Sequence, residues 1–237
     1  MVALSAVGRP LVAGGLALAG MIEDGLLRAT RDGYDAIADD YDERFAGELE
    51  GSPLARAMLA SFAERVRGRG GGAVAEVGSG PGRVTAHLDR LGLDVHGIDL
   101  SPRMVALARR TFPHLRFREG SMTALDLPDG ALAGLAAWYS IIHIPPDRLP
   151  GVIGEFHRVL APGGRLLVAF QVGDAPLHFD EAFGHRVDLD FRRLNPDRVA
   201  GLLERAGFAV QARMVRAPSG WESVPQAYLL AGKPPVG

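Results

Sequence analysis

The sequence contains no cysteine, and Lys233 is its only lysine. The absence of cysteine excludes disulfides, thiolate zinc sites and a cysteine nucleophile, and it is compatible with a cytoplasmic location. The chain also has no excess of positive charge, because it contains 26 basic and 28 acidic residues and its formal net charge is -2. Nucleic-acid binding depends on neutralising many phosphates, so we expect no nucleic-acid partner.

A long apolar run is also lacking. The longest candidate, Leu11 to Ile22, is too short to span a bilayer as a helix, so we expect no membrane partner. Only one basic residue, Arg9, precedes this run, whereas a secretory signal begins with a positively charged region. We therefore expect residues 1–30 to be an N-terminal extension, loosely ordered or helical, and residues 31–237 to be one domain that acts as a monomer or homodimer in the cytoplasm.

A glycine-rich turn is the most informative stretch of the chain. Ala73-Val74-Ala75 reads as a strand, Glu76 to Arg83 contains glycines at positions 78, 80 and 82, and a helix-like run follows. Glycines allow positive φ and leave no Cβ in the way, so a ligand can lie against the main chain. The unpaired N–H groups at the start of the helix suit hydroxyl, carboxylate or phosphate groups. The stretch therefore predicts a nucleotide site.

The spacing of the glycines separates two classes of ligand. A dinucleotide fingerprint, G-x-G-x-x-G, requires glycine at position 83, where this chain has Arg83. The observed G-x-G-x-G, preceded by Glu76, resembles the first motif of class I S-adenosylmethionine (SAM) methyltransferases. This resemblance implies that the turn residues from Glu76 to Arg83 bind SAM, the methyl donor, which leaves as S-adenosylhomocysteine. The cofactor-binding residues it implies in the turn are Glu76, Gly78, Ser79, Gly80, Gly82 and Arg83.

A second block lies 17 residues after Gly82, where a ribose-binding carboxylate belongs in a βαβ unit. Asp99 ends a predicted strand there, and Ser101-Pro102 supplies a helix cap and a first-turn proline. The run from Ile98 to Met104 resembles the second methyltransferase motif. The resemblance implies that Asp99 binds the ribose hydroxyls and that Leu100, Ser101 and Met104 also contact the cofactor, with Met104 packing on adenine.

Two further blocks extend the resemblance. Tyr34, Ile37, Ala38 and Tyr41 share one helix face, and their pattern resembles the N-terminal lid of UbiE-like small-molecule methyltransferases, in which tyrosines close over the cofactor. The turn after the third predicted strand flanks adenine in that fold, which implies cofactor contacts for Gly120, Ser121 and Met122.

The fourth predicted strand ends in Trp138-Tyr139-Ser140-Ile141-Ile142-His143, at the edge where open α/β sheets bind ligands. This sequence replaces the D/N-P-P-F/Y motif of enzymes that methylate nucleobase amines, which argues against a DNA or RNA acceptor. Aromatic faces stabilise a sulfonium, so Trp138 and Tyr139 are included among the cofactor-binding residues.

The remaining sequence completes the expected architecture. The run from Phe156 to Val168, with a Pro-Gly-Gly that we interpret as a helix stop and reversal, resembles the corresponding helix, turn and strand of the family. The last helix precedes two strands, as expected for a terminal β-hairpin. We predict an α/β fold: a Rossmann-like, doubly wound, seven-stranded sheet that is mostly parallel, with an antiparallel C-terminal hairpin strand. Residues 174–194 are predicted to form an inserted substrate cover.

His143 is the best candidate for a catalytic base, because neutral imidazole is available near pH 7, and Tyr139 is the second. His178 and His185 in the predicted cover rank below them. These two histidines with Asp180 and Glu181 lack a compact ligand motif, so no metal site is predicted. The sequence thus indicates transfer of a methyl group from SAM to an oxygen, nitrogen or carbon atom of a small metabolite. A SAM-binding protein with a regulatory or non-methylating role and, less favoured, an NAD(P)-dependent oxidoreductase remain as alternatives.

Overall fold

The structure is a computed structural model that describes the backbone of residues 12–235 and the side chains from Gly25 onward. Of the expected N-terminal extension, residues 1–11 lie outside the described residues. Residues from Val12 onward belong to a 33-residue helix, α1, which continues to Arg44. The helix predicted around the two lid tyrosines is therefore confirmed, and it begins earlier than the sequence indicated.

Six helices and nine strands make up the described chain. The helices are α1 (Val12–Arg44), α2 (Pro53–Arg67), α3 (Arg83–Arg90), α4 (Pro102–Thr111), α5 (Leu149–Val159) and α6 (Pro196–Arg205). The strands are β1 (Ala73–Val77), β2 (Asp94–Asp99), β3 (Arg116–Glu119), β4 (Leu132–Trp138), β5 (Leu160–Gln171), β6 (Pro176–Ala182), β7 (His185–Arg192), β8 (Ala209–Arg216) and β9 (Gln226–Gly232). A short 3-10 helix, Ile141–His143, follows β4.

Seven strands form the main sheet in the order β3-β2-β1-β4-β5-β9-β8. β1 pairs in parallel with β2 and β4, whereas β9 is antiparallel to both of its neighbours, β5 and β8. The predicted fold, including the antiparallel strand of the C-terminal hairpin, is confirmed. Because the carboxyl ends of the parallel strands meet at one edge, the turns after β1, β2 and β4 lie together there.

Burial and capping explain the central elements. The side chains of β1 and β4 are almost entirely buried, as expected for apolar strands in the middle of a parallel sheet. Ser101 caps α4 as predicted, since its hydroxyl accepts a hydrogen bond from the Met104 N–H at 3.0 Å. Asn195 caps α6 in the same way through the N–H groups of Asp197 and Arg198.

The Pro-Gly-Gly segment after α5 differs from the prediction. We expected a helix stop and a reversal before the fifth strand, but α5 ends at Val159 and Leu160 already pairs with Leu132 of β4. Regular pairing resumes at Arg165, so the Pro-Gly-Gly segment forms an irregularity inside β5. Gly163 in this segment has φ +82°, a conformation that glycine adopts without a steric penalty.

The predicted insertion is a β-hairpin formed by β6 and β7, which pair only with each other. We call it the cover hairpin. It packs against α1, and the approach is close at Gly33, where a Cβ would lie 2.7 Å from a side-chain methyl of Leu189. Within residues 12–235 there is no helix with the length and apolar character needed to cross a membrane.

Candidate functional site

The glycine turn has the backbone geometry that the sequence predicted. Gly78, Gly80 and Gly82 all have positive φ, at +70°, +51° and +85°. At Gly78 there is no room for a side chain, because a Cβ would lie 2.3 Å from the Cβ of Ser140. Nothing lies within 4 Å of a Cβ built on Gly80, so the turn is open at that position.

Asp99 connects the end of β2 to this turn. One carboxylate oxygen accepts a hydrogen bond from the Gly80 N–H at 2.7 Å, and the other accepts from the Ser101 N–H at 2.8 Å. Burial raises the pKa of Asp99, and the two backbone hydrogen bonds oppose that rise. Each oxygen keeps lone-pair capacity for a ligand, so the carboxylate can accept further hydrogen bonds from hydroxyl groups.

Two cavities open around the turn. The first has a volume of about 400 Å³ and lies against α1, the turn after β2 and the turn after β3. Its walls include His143 and most of the predicted cofactor residues, namely Tyr34, Tyr41, Gly78, Gly80, Asp99, Leu100, Ser101, Met104, Gly120, Ser121, Met122, Trp138 and Tyr139. The sequence did not predict the contributions of Leu26 and Thr30 from α1 or of Asp147 from the segment before α5.

The second cavity, of about 620 Å³, lies between α1, the cover hairpin and the end of the sheet near β9. Most of its wall is apolar and aromatic. The wall includes Ile37, Phe45, Ile142, Leu177, Phe179, Phe183, Leu189, Phe191, Trp221 and Val224. The predicted residues Glu76, Ser79 and Arg83 also line this cavity rather than the first.

Six predicted residues line both cavities, namely Tyr34, Tyr41, Gly78, Gly80, Trp138 and Tyr139. The cavities therefore adjoin at the glycine turn, between the two tyrosines of α1 and the end of β4. Gly82 lines neither cavity. A Cβ there would lie 2.6 Å from the Phe117 ring, so this glycine allows α3 to pack closely against the sheet.

His143 is held by hydrogen bonds at both ring nitrogens. Its Nδ1 lies 2.9 Å from the carbonyl oxygen of Asp190, which can only accept, so Nδ1 carries the proton. Its Nε2 therefore accepts a hydrogen bond from the Tyr34 hydroxyl at 2.8 Å. Burial lowers the pKa of His143 to about 4, so the imidazole is neutral at pH 7. His143 therefore links the segment after β4 to α1 through Tyr34 and to the cover hairpin through Asp190.

Tyr139 is the first residue after β4, and its φ of +52° is unusual for a residue other than glycine. The Tyr139 hydroxyl lies 2.9 Å from the Tyr228 hydroxyl, which accepts a hydrogen bond from Arg216 Nε at 3.3 Å. Arg216 also forms a largely buried ion pair with Glu222. Burial raises the pKa of Tyr139, so its phenol stays protonated at neutral pH.

The two charged residues of the turn have partners within the protein. Glu76 is buried and accepts a hydrogen bond from the Thr85 hydroxyl, and burial raises the pKa of its carboxyl group to about 8. Arg83 forms an ion pair with Asp42 of α1 at 2.6 Å. Arg83 therefore fastens α1 to the start of α3.

The histidines of the cover hairpin lie away from both cavities. His178 pairs with Asp190 at 3.0 Å, and His185 lies 3.1 Å from Asp40. Both histidines are about half exposed, so neither is placed to remove a proton from a ligand in a cavity. In the part of the chain that the structure describes, no group of three or more His, Asp or Glu side chains is arranged to hold a metal ion.

Several known proteins with similar sequences or structures are methyltransferases. A family model described as a methyltransferase domain matches residues 74–164, which contain the glycine turn, Asp99 and β4. The chain is 27% identical to a demethylmenaquinone methyltransferase of Chlorobaculum parvum over 83% of its length and 78% of the relative's length. Two further demethylmenaquinone methyltransferases match over only 60% and 55% of their own lengths.

Solved structures show the same fold at lower sequence identity. The DhpI complex with S-adenosylhomocysteine is 22% identical, with a TM-score of 0.70 over 90% of this chain and 99% of that one. The Burkholderia thailandensis 1,6-didemethyltoxoflavin N1-methyltransferase is 21% identical, with a TM-score of 0.60 over 96% of this chain and 93% of that one. We conclude that residues 74–164 form a methyltransferase domain and that the chain has the fold of SAM-dependent methyltransferases.

Proposed function

We propose that the first cavity binds the adenosine part of SAM and that the second cavity holds a small-molecule acceptor, which is methylated on an oxygen, nitrogen or carbon atom. The observation that carries this proposal is the set of residues common to the two cavities. Because both cavities adjoin at Gly78, Gly80 and Tyr139, a donor in one and an acceptor in the other would meet at a single position. Such positioning accounts for much of the acceleration that a two-substrate reaction requires.

The residues of the first cavity fit SAM. Asp99 has the lone pairs to accept hydrogen bonds from both ribose hydroxyls, and the open backbone at Gly80 leaves space beside them. Buried Met104 supplies an apolar surface for adenine. When bound, SAM supplies a methyl group on a positively charged sulfur. The aromatic faces of Tyr34, Tyr41 and Trp138 favour that charge, each by about 0.5 to 2 kcal/mol.

We propose that His143 positions Tyr34 and does not act as the base. Its Nε2 lone pair is already occupied by the Tyr34 hydroxyl, and a group with a pKa of about 4 is a weak proton acceptor at pH 7. The imidazole therefore holds the Tyr34 ring at the junction of the two cavities. An acceptor that needs little help from a base, such as an ionised phenol, an enolate or a neutral amine, suits this site.

We propose that Tyr139 donates a hydrogen bond to the acceptor. The Tyr228 oxygen accepts from Arg216, so the Tyr228 O–H is free to donate to the Tyr139 oxygen. The Tyr139 O–H is then left to donate into the cavities that it lines. A donor supported in this way lowers the pKa of an acceptor hydroxyl and so favours its ionised, nucleophilic form, which makes an oxygen-bearing acceptor preferable to a simple amine.

The test is incubation with methyl-labelled SAM and a panel of acceptors, followed by mass spectrometry of labelled products. The panel should include aromatic, quinol and heteroaromatic compounds, because named relatives act on demethylmenaquinone and 1,6-didemethyltoxoflavin. We expect label in at least one compound, and about tenfold less with the Asp99→Asn variant when SAM is kept below its Kd for the unmodified protein. Calorimetric binding of SAM without transfer to any compound or to a native extract would favour the non-methylating alternative.

A further inference from the structure

Arg193 is a partly buried cationic side chain of the second cavity, and its charge is not paired within the part of the protein that the structure describes. It forms no ion pair with any residue that the structure describes, and its one hydrogen bond, to the Ser223 hydroxyl, is 3.4 Å long. Its Nε is buried and has no hydrogen-bond partner. The guanidinium is thus partly dehydrated without compensation, while the residue as a whole is partly exposed and lines the cavity, so an anion in the cavity can pair with it.

The position of Arg193 follows from the alternation of the strand before it. Leu189 and Phe191 lie on the cavity side of β7, and Arg193, two residues further along, also lines the cavity. The Arg193 side chain packs directly against Gly173, since a Cβ on that glycine would lie 3.0 Å from Arg193 Cδ. The guanidinium therefore lies at one end of an aromatic wall that the cover hairpin provides.

Three other arginines line this cavity. Arg90 is exposed and therefore hydrated, whereas carboxylates already neutralise the other two. Arg216 is paired with Glu222 at 2.5 Å, and Arg83 is paired with Asp42 at 2.6 Å. Glu48 lies in the same cavity, and burial together with the nearby Glu222 raises the pKa of its carboxyl group. Among the arginines of this cavity, Arg193 is therefore the one that is partly buried and has no carboxylate partner, which suits it to bind an anion.

The aromatic wall indicates the shape of the ligand. Phe179 and Phe191 meet edge to face with ring centroids 5.3 Å apart, and Phe45 and Trp221 approach each other to 5.4 Å. Phe179 and Trp221 are exposed at 41% and 52% although they line a cavity, so a ligand would cover apolar surface there. Flat aromatic rings bind such walls by stacking and edge contacts.

We propose that the acceptor is a flat aromatic molecule that carries an anionic substituent, a carboxylate or a group of similar charge, and that Arg193 pairs with this substituent. The proposal rests on the proposed function, because it names the class of acceptor for the same site. Arg193 determines specificity, because it selects acidic acceptors and fixes the position of their anionic end.

The binding test uses two fluorescent probes that differ by one sulfonate group, anilinonaphthalene sulfonate and N-phenylnaphthylamine, each titrated in saturating S-adenosylhomocysteine. We expect the sulfonate to bind roughly tenfold more tightly than the neutral probe, as is typical of a hydrogen-bonded charge pair. The variant Arg193→Met should lose this preference. The control Arg186→Met, an exposed position on the same hairpin, should keep it. Equal binding of the two probes to the unmodified protein, or an undiminished preference in Arg193→Met, would overturn the proposal.

A transfer assay separates this proposal from the proposed function. With labelled SAM, hydroxynaphthoate should be methylated with a KM roughly tenfold below that of naphthol, and Arg193→Met should raise the KM of the acid alone. Methylation of both compounds with equal KM would refute the role of Arg193 while leaving methyl transfer intact. Unchanged binding of S-adenosylhomocysteine to Arg193→Met, measured by calorimetry, is the check that the variant is folded.

Discussion

Asp99 offers the sharpest test of the cofactor site. In Asp99→Asn the side chain keeps its shape but has only one oxygen, so it can accept from Gly80 or from Ser101 and not from both. The second N–H then faces an amide NH₂ group in a buried place. An orphaned buried donor costs about 1 to 3 kcal/mol, so we expect the free energy of unfolding to fall by about 2 kcal/mol.

The same substitution should weaken SAM binding. An amide accepts weaker hydrogen bonds from ribose hydroxyls than a carboxylate does, and the Gly80 N–H no longer holds the turn in place. We expect at least a tenfold loss of affinity for SAM, or about 1.4 kcal/mol, measured by isothermal titration calorimetry. Asp94→Asn is the matched control, since Asp94 lies at the exposed start of the same strand and pairs with Arg116. Unchanged SAM affinity in folded Asp99→Asn would refute the ribose assignment.

Three further perturbations test other parts of the site. Gly78→Ala should lower the melting temperature by several degrees, because its Cβ would lie 2.3 Å from the Cβ of Ser140, whereas Gly151→Ala, with nothing within 4 Å, should not. The folded pKa of His143, about 4, lies below its ordinary 6.5, so stability should be lost as the pH falls from 6.5 towards 4. The loss should reach about 3 kcal/mol in urea unfolding, and equal pH slopes in His143→Gln would contradict it. Tyr139→Phe should reduce kcat with SAM affinity unchanged, which single-turnover assays and calorimetry can separate.

The sequence predicts those parts of the site whose geometry is local. The three glycines, the position of Asp99 and the cap at Ser101 depend on residues within a few positions of one another, and all have the backbone conformation that their residue types favour. The mostly parallel sheet is also predictable, because buried apolar strands that alternate with helices form a parallel sheet. The antiparallel hairpin strand followed from the two strands after the last helix.

Contacts between distant segments explain what the sequence could not predict. The hydrogen bond from Tyr34 to His143 joins residues 109 positions apart, and it alters the role proposed for the histidine. The pairing of Arg216 with Glu222 beside Tyr228 depends on how the connection between β8 and β9 folds back. No local spacing encodes either contact. For Arg193, the alternating pattern of residues 186–193 indicated a strand with two different faces. Which face lies towards the cavity depends on how the strand pairs and packs, and the local sequence does not determine that.

The position of α1 determines both cavities together. Near its middle, Asp35 accepts a hydrogen bond from Ser101 beside the ribose-binding carboxylate, and further along Asp42 pairs with Arg83 at the end of the glycine turn. Directly before Asp35, Tyr34 donates a hydrogen bond to His143, whose other nitrogen donates to the cover hairpin. One rigid helix is thus attached to the cofactor turn on one side and to the acceptor cover on the other. A displacement of α1 that opens one cavity must also alter the other, so cofactor binding and acceptor binding are expected to be thermodynamically coupled.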